Sequence, residues 1–258
     1  MRKAYNVLSP IMRAAVEAGL IGRSPCLGVR LPAIHSREMR FLHPEEEARF
    51  AGAVPDRYRA LVLLGAYGGL RFGELAGLRV GDVDFLRSRL TVAEAIVEVG
   101  GRLHRGGTKT GPRRMVTLPR SVTEVLAAHL ASFPPGPEGL VFTGPEGGPL
   151  RRSTFRSRVW LPATRGVKLE GLRVHDLRHT AAALAIRAGA HPKAISERLG
   201  HASITTTLNT YGHLFPALDE ELAGRLDEMT QRPLAAWMRP GALREGSNPA
   251  TAGPEKGL

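Results

Sequence analysis

The segment VHDLRHT, residues 174–180, sets His175 and His179 four residues apart with Arg178 between them. On a helix, at about 100° per residue, His175, Arg178, His179 and Ala182 share one face, while Leu177, Ala181, Leu184 and Ala188 form the opposite, core-facing stripe. The polar triplet is therefore expected to be presented outward as a group. Two chemistries compete for it. Histidines at i and i+4 have the spacing of a zinc hydrolase, but that motif needs a glutamate directly after the first histidine as general base. Here the residue is Asp176, one methylene shorter. Arg178 keeps its charge and would repel a divalent cation bound beside it. An Arg–His face suits phosphate instead, because a guanidinium matches two phosphate oxygens at once and a nearby imidazole adds a donor. The phosphate reading is preferred, and neither a metal nor a cofactor is expected.

The bulk composition agrees. The chain has 258 residues, enough for one large or two modest domains, and is 43% hydrophobic, enough for a real core. Only 5% is aromatic, which argues against base-stacking platforms for single strands. A net charge of +12 favours a polyanion, either nucleic acid or an acidic membrane surface, although Ala, Gly, Pro and Arg richness of the genome would inflate that charge. Cys26 is the only cysteine, so an intrachain disulfide and a thiolate zinc cluster are excluded and a reducing interior is the natural setting. The apolar run ALVLLGAY (60–67) falls short of the roughly 20 residues a bilayer span needs. The start, MRK, lacks the apolar stretch of a signal peptide.

Periodicity outlines the elements. Tyr5, Leu8, Met12, Ala15, Val16 and Leu20 predict a helix over 4–20, ended by Gly19 and Gly22. It opens almost at Met1, so its packing partners must come from elsewhere. Residues 1–43 carry seven Lys/Arg against two Glu and include an irregular basic connector. PEEEARFAGAV (44–54) starts a helix with Pro and three acids in the first turn. An apolar helix follows over 56–68, and GGLRFGELAGL (68–78) is a Gly-punctuated turn with a short helix. Residues 89–99 are strand-like, Gly100-Gly101 is a turn, a second strand leads to TKTGPRR (108–114), and MVTLP (115–119) closes a third. A helix over 120–131, a short strand LVFTG (140–144), and helices over 175–189, 192–199, 203–210 and 217–229 complete the reading, with a disordered tail after Pro233. Residues 151–178 carry eight Lys/Arg against Glu170 and Asp176, either a solvated face or a phosphate-contacting one.

GLRFGE (69–74), TKTGPRR (108–114), HDLRHT (175–180), LGH (199–201) and Tyr211, in this order, resemble the tyrosine recombinases, also called the phage integrase family, over residues 40–230. The resemblance implies an α+β fold, a mostly helical catalytic domain with a small three-stranded antiparallel sheet. It implies a layout in which 1–32 is the last helix of a truncated core-binding domain, 33–43 a linker, 44–230 the catalytic domain and 231–258 the disordered tail. On this reading the chain is a truncated or mis-started reading frame.

The same likeness implies the roles. Arg71 and Arg178 would clamp the phosphate, with His175 and His201 as further donors, and Glu74 would orient the Arg71 turn. Lys109, on the β-hairpin, would protonate the leaving oxygen, with Lys168 a poorer rival. Tyr211 would be the nucleophile and His175 the acceptor of its proton. His201 and Tyr211 are ten residues apart, one more than expected for many members, but no other tyrosine follows LGH. Arg113, Arg151, Arg152, Arg156, Arg158 and Arg173 would contact DNA.

The implied activity is metal-independent site-specific recombination through a 3′-phosphotyrosyl intermediate. It would act on double-stranded DNA as a homotetramer, without a membrane, in a bacterial or phage-infected cytoplasm at the nucleoid. The apolar stripe of 217–229 would dock either on its own domain or on a neighbouring protomer. The competing readings are a DNA-binding remnant that no longer recombines, a topoisomerase-like nicking activity and, most distantly, a metal hydrolase. The bland assignments are a capping role for Arg71, a supporting role for His179, packing of His213 and Phe215 near the Tyr211 turn, and packing roles for Tyr5, Tyr58 and Tyr67.

Overall fold

The computed structural model describes residues 2–33, 39–107, 113–215, 223–224 and 226–230. The chain divides into two compact units, Met1–Met39 and Arg40–Leu258.

In the first unit, helix α1 (Arg2–Glu17) is followed by a loop tied back to it. The Tyr5 hydroxyl donates to the Cys26 carbonyl at 2.9 Å, and the Arg2 guanidinium to the Pro32 carbonyl at 2.8 Å. The helix stops before the predicted Leu20 because Gly19 takes up φ +70°. Tyr5, read as a packing residue, thus acts through its hydroxyl. No side chain of α1 is buried within the described structure, whereas Cys26 is.

The second unit holds the core. Helix α2 (Pro44–Ala53) starts as its sequence predicts, with Pro44 in the first turn and the Glu46 carboxylate accepting from the His43 backbone N–H at 3.1 Å. Helices α3 (Asp56–Gly68) and α4 (Phe72–Gly77) meet at Gly69, which ends α3 in the left-handed conformation. Strands β1 (Val83–Asp84), β2 (Arg89–Val92) and β5 (Arg114–Thr117) form an antiparallel sheet in the order β1-β2-β5. Strands β3 (Glu94–Val99) and β4 (Arg102–Gly107) form a separate hairpin around Gly100-Gly101. The predicted strand 89–99 is thus two strands in two sheets, and the three-stranded sheet is completed by Val83–Asp84.

Helix α5 (Arg120–Ser132) appears as read. LVFTG does not form a strand. Leu140–Phe142 are buried but join no sheet among the described residues: besides a single bridge to Arg79 and a bond from the Val141 N–H to the Leu78 carbonyl, their backbone bonds run to Gly136, Pro137 and the His129 ring, because turns at 136–139 and 144–147 flank them closely. The basic run contains an unpredicted helix: α6 (Arg152–Phe155), a π-wound stretch Arg156–Trp160, and α7 (Leu161–Gly166). Its Phe155 and Trp160 join Phe50 and Tyr58 in an aromatic cluster, with Phe50 and Trp160 4.6 Å apart edge-on. The last helices are α8 (Asp176–Arg187), α9 (Pro192–Leu199) and α10 (Ile204–Tyr211). α3 packs on α8, α4 on β3, and α9 on α8, β5 and α10, which brings the sequence motifs to one place. Of the predicted helix 217–229, residues 223–224 and 226–229 are helical and the remainder lies outside the described residues, as does the tail after Pro233.

Candidate active site

Arg178 is 2% exposed, not outward-facing as a helical-wheel reading suggests. Both faces of the first turns of α8 are covered: Leu177 and Ala181 are buried, and so is Ala182 on the histidine side. The Arg178 guanidinium lies between two chain turns, donating from Nη1 to the Gly69 carbonyl at 2.7 Å and from Nη2 to the Leu199 carbonyl.

Both carbonyls are presented by left-handed helix ends. Gly69 closes α3 at φ +70° and Gly200 closes α9 at φ +64°, and the Gly200 and His201 N–H groups satisfy the Glu197 and Ser196 carbonyls. A Cβ on Gly69 would come within 2.7 Å of Leu199, and one on Gly200 within 3.0 Å of Arg114. This is the physical reason GLR and LGH each need their glycine. Burial, reinforced by Arg71, lowers the Arg178 guanidinium to about 9, so it remains a cation at neutral pH.

Arg71 leads into α4. Its N–H and its Nη1 donate to Glu74 at 2.8 and 2.9 Å, and its Nη2 reaches the Gly200 carbonyl at 3.5 Å. Glu74, 2% exposed, also receives Arg114 through both guanidinium nitrogens, at 3.0 and 2.7 Å. Burial pushes the Glu74 carboxyl upward, but Arg114 and Arg71 outweigh it and hold the group ionised below its usual range.

Tyr211, at the C-terminal end of α10, is 1% exposed. Its hydroxyl lies 2.9 Å from Nδ1 of His179, and its ring stacks parallel on His201 at 6.5 Å. His201 is anchored by a 2.8 Å bond between its Nδ1 and the Thr207 hydroxyl. His175 sits exposed at the N-terminal end of α8, its ring 4.9 Å from His179, edge-on. Desolvation lowers His175 to about 4, with His179, Arg178 and Arg71 adding to the shift. Desolvation, with Arg178, Arg71 and Arg114, lowers His201 to about 4 as well. Both imidazoles are therefore neutral near pH 7 and can donate from one ring nitrogen. Burial raises the Tyr211 phenol and Arg178 partly counters it.

A match to the Phage integrase family model spans residues 40–217. The chain belongs to that family. It is 37% identical to the integrase of Mycobacterium phage FRAT1, over 88% of this chain and 69% of that protein. It is 37% identical to the integrase of Mycobacterium phage D29, over 88% of this chain and 62% of the relative, so it spans a little under two thirds of that length. Among solved structures, the Tn1549 transposon integrase, in complex with a circular intermediate DNA, superposes with a TM-score of 0.74 at 19% identity, over 87% of this chain and 77% of that one, a likeness of fold.

In this integrase-family fold, Arg71, Glu74, His175, Arg178, His201 and Tyr211 come together, although they span 140 residues of sequence. Lys109 lies outside the described residues. Among the arginines expected on DNA, Arg152 shares a cleft of about 290 Å³ with Arg71, Val174 and His175. Arg113, Arg156 and Arg158 are exposed, and Arg151 is exposed while holding the Gly101 carbonyl at 2.7 Å. Arg173 differs. It is ion-paired to Asp176 at 2.6 Å, and its backbone N–H binds the same carboxylate at 2.7 Å. That also engages the Asp176 carboxylate, the group a zinc-hydrolase reading would need as base.

Two site residues escape the sequence reading. Arg114, not its neighbour Arg113, enters the site; it is in phase with buried Val116 on β5 and Leu118 just beyond it, and a charge on a core-facing phase must be paired. His179, read as a supporting neighbour, is the partner of the Tyr211 hydroxyl. No bond between His175 and Tyr211 occurs among the described residues.

Proposed function

We propose that this chain is a site-specific DNA strand transferase that cuts and rejoins duplex DNA through a 3′-phosphotyrosyl link on Tyr211, without a metal. The observation that carries the proposal is the convergence of Arg178, His179 and His201 on the Tyr211 ring, with Arg71 and Arg114 adjoining. In the reaction the phenol oxygen attacks phosphorus and a 5′ hydroxyl leaves. Negative charge grows on the non-bridging oxygens, and the protein must supply the opposing cations. Arg71, held by Glu74, and Arg178, held by the Gly69 and Leu199 carbonyls, do so, and each such donor is worth on the order of 10²–10³ in rate by analogy with other oxyanion sites. Neutral His175 and His201 add N–H donors. Lys109 fits the leaving-group acid by its place in TKTGPRR. Arg151, Arg152, Arg156 and Arg158 form the phosphate-contacting side, and Arg113, directly before β5, extends it. The working form is a homotetramer on DNA, inside a bacterial or phage-infected cell.

The test is a pool of nicked duplexes with random sequence around the nick, incubated with the full chain in EDTA. A denaturant-resistant protein–DNA adduct is expected from wild type and none from Tyr211→Phe. DNA binding that is retained with no adduct in any duplex would leave only a binding role. An adduct persisting in Tyr211→Phe would overturn the nucleophile assignment.

A further inference from the structure

The imidazole that meets the nucleophile is not the one in the His-x-x-Arg pair. His175 and His179 lie one turn apart on α8, and it is the inner ring, His179, whose Nδ1 stands 2.9 Å from the Tyr211 oxygen. His201 stacks on the tyrosine face with its Nδ1 engaged by Thr207, and no bond between His201 and the Tyr211 hydroxyl occurs among the described residues.

We propose that His179 is the proton acceptor for Tyr211 in DNA cleavage. The inference rests on the strand-transfer reading above. As the phenol oxygen bonds to phosphorus, the Tyr211 O–H bond breaks and its proton passes to Nδ1 of His179. The P–O bond to the 5′ oxygen breaks, and that oxygen takes its proton from the general acid, read as Lys109. Resealing reverses each step, and His179 returns the proton to the phenol.

The surroundings suit this task. Besides Tyr211 and His175, the charged groups facing His179 are Asp176, Arg173 and Arg178 on α8 and the turn before it. Burial, with Arg173 and Arg178, lowers the His179 imidazole below its ordinary value despite Asp176, which favours the neutral ring; in its Nε2–H tautomer Nδ1 carries the lone pair that accepts from the Tyr211 hydroxyl. Burial holds the phenol protonated. Transfer is therefore uphill at rest and becomes favourable only as phosphorus withdraws the oxygen's electrons. The tyrosine is protected until a phosphate is in place, and the proton is held loosely enough to be given back.

The test compares wild type, His179→Gln and His179→Ala in single-turnover adduct formation on the nicked-duplex pool between pH 5.5 and 9. Glutamine can hold the hydroxyl but cannot take its proton. The expected result is a loss on the order of 10²-fold in His179→Gln at pH 7, recovering by about tenfold per pH unit as hydroxide substitutes for the imidazole. Wild type should be nearly flat over the same range, falling only at its acid end. Wild-type rate and profile in His179→Gln would overturn the acceptor role, as would full rescue of His179→Ala by glutamine at every pH, the signature of positioning alone. Faster cleavage in His179→Gln would also overturn it, by showing a lock on the nucleophile. Loss of adduct in wild type itself sinks the strand-transfer reading, a result distinct from loss in the variants. Should the variants not fold, ¹⁵N shifts of His179 in wild type against Tyr211→Phe read the hydrogen bond directly, and an unchanged Nδ1 resonance would overturn it.

Discussion

Arg114 holds both oxygens of Glu74, at 3.0 and 2.7 Å, from the strand opposite the helix that Glu74 belongs to. Arg71 takes the same carboxylate at 2.9 Å, so one buried acid fixes two guanidiniums and supports the phosphate clamp through them. Removing one partner of a buried pair leaves uncompensated charge, a loss of about 3–5 kcal/mol. Glu74→Gln should therefore lower the melting temperature markedly and slow adduct formation. The pH dependence has a definite sign. A carboxyl held below its ordinary value of 4.5 contributes stability that is present above that value and lost as pH falls through the folded-state value. Acid titration of the melting temperature should show a steeper fall for wild type than for Glu74→Gln, and parallel curves would contradict the pairing.

How far the sequence carries can be judged from particular residues. VHDLRHT, GLR, LGH and Tyr211 locate the site because each local shape follows from residue type: glycine at a left-handed helix end, acids at a helix start, alternation in a strand. What escapes depends on how elements meet. The outward face assigned to Arg178 assumes a helix with one covered side, and α8 has two. His179 was visible as a neighbour of His175, but only the approach of α10 decides which ring touches the tyrosine. The helix Arg152–Gly166 did leave a trace, since Phe155, Val159, Trp160 and Ala163 follow helical spacing and are buried. The density of arginine and Pro162 masked it. Arg114 was legible through its phase with Val116 and Leu118, a signal that counting charges along the run obscures.

Gly200→Ala should cost stability twice. The backbone at φ +64° disfavours any L side chain by about 1–2 kcal/mol. The new Cβ would also meet the Arg114 side chain at 3.0–3.2 Å, a side chain that cannot swing away without leaving Glu74. Gly189→Ala is the control: it has φ +76° and open space around it, so it carries the backbone term alone. Chemical denaturation should rank Gly200→Ala below Gly189→Ala, and only the former should slow adduct formation. Equal losses would mean that Arg114 yields freely.

Glu47 gives the opposite pH sign. It is 1% exposed on α2, and neither carboxylate oxygen has a well-formed hydrogen bond among the described residues. Burial raises its carboxyl from 4.5 to about 7, with the Tyr67 hydroxyl offsetting part of the rise. A raised acid favours folding while protonated, so wild type should lose stability as pH climbs from about 4.5 to about 7, by roughly 3 kcal/mol in the limit. Glu47→Gln keeps the neutral shape. Its melting temperature should match wild type near pH 5 and exceed it at pH 8, and a constant difference across that range would show that Glu47 does not titrate in the fold.

Arg178→Lys separates charge from geometry. Lysine keeps the cation and adds compact, strongly hydrated charge, but it has a single ammonium where arginine has a planar fork. In the native site that fork spans two turns 130 residues apart in sequence, donating to the carbonyls of Gly69 and Leu199 while its charge faces the Tyr211 region. An ammonium can meet one of those carbonyls, or the phosphate, without holding the three in register. The other carbonyl is then buried without its donor, a loss of about 1–3 kcal/mol. Adduct formation should fall by on the order of 10²-fold or more, the magnitude of one lost oxyanion donor, and the melting temperature should fall with it. If charge alone mattered, Arg178→Lys would cleave near the wild-type rate while Arg178→Ala would not. That pattern would show that the two glycine-ended turns do not need the guanidinium to hold them in place.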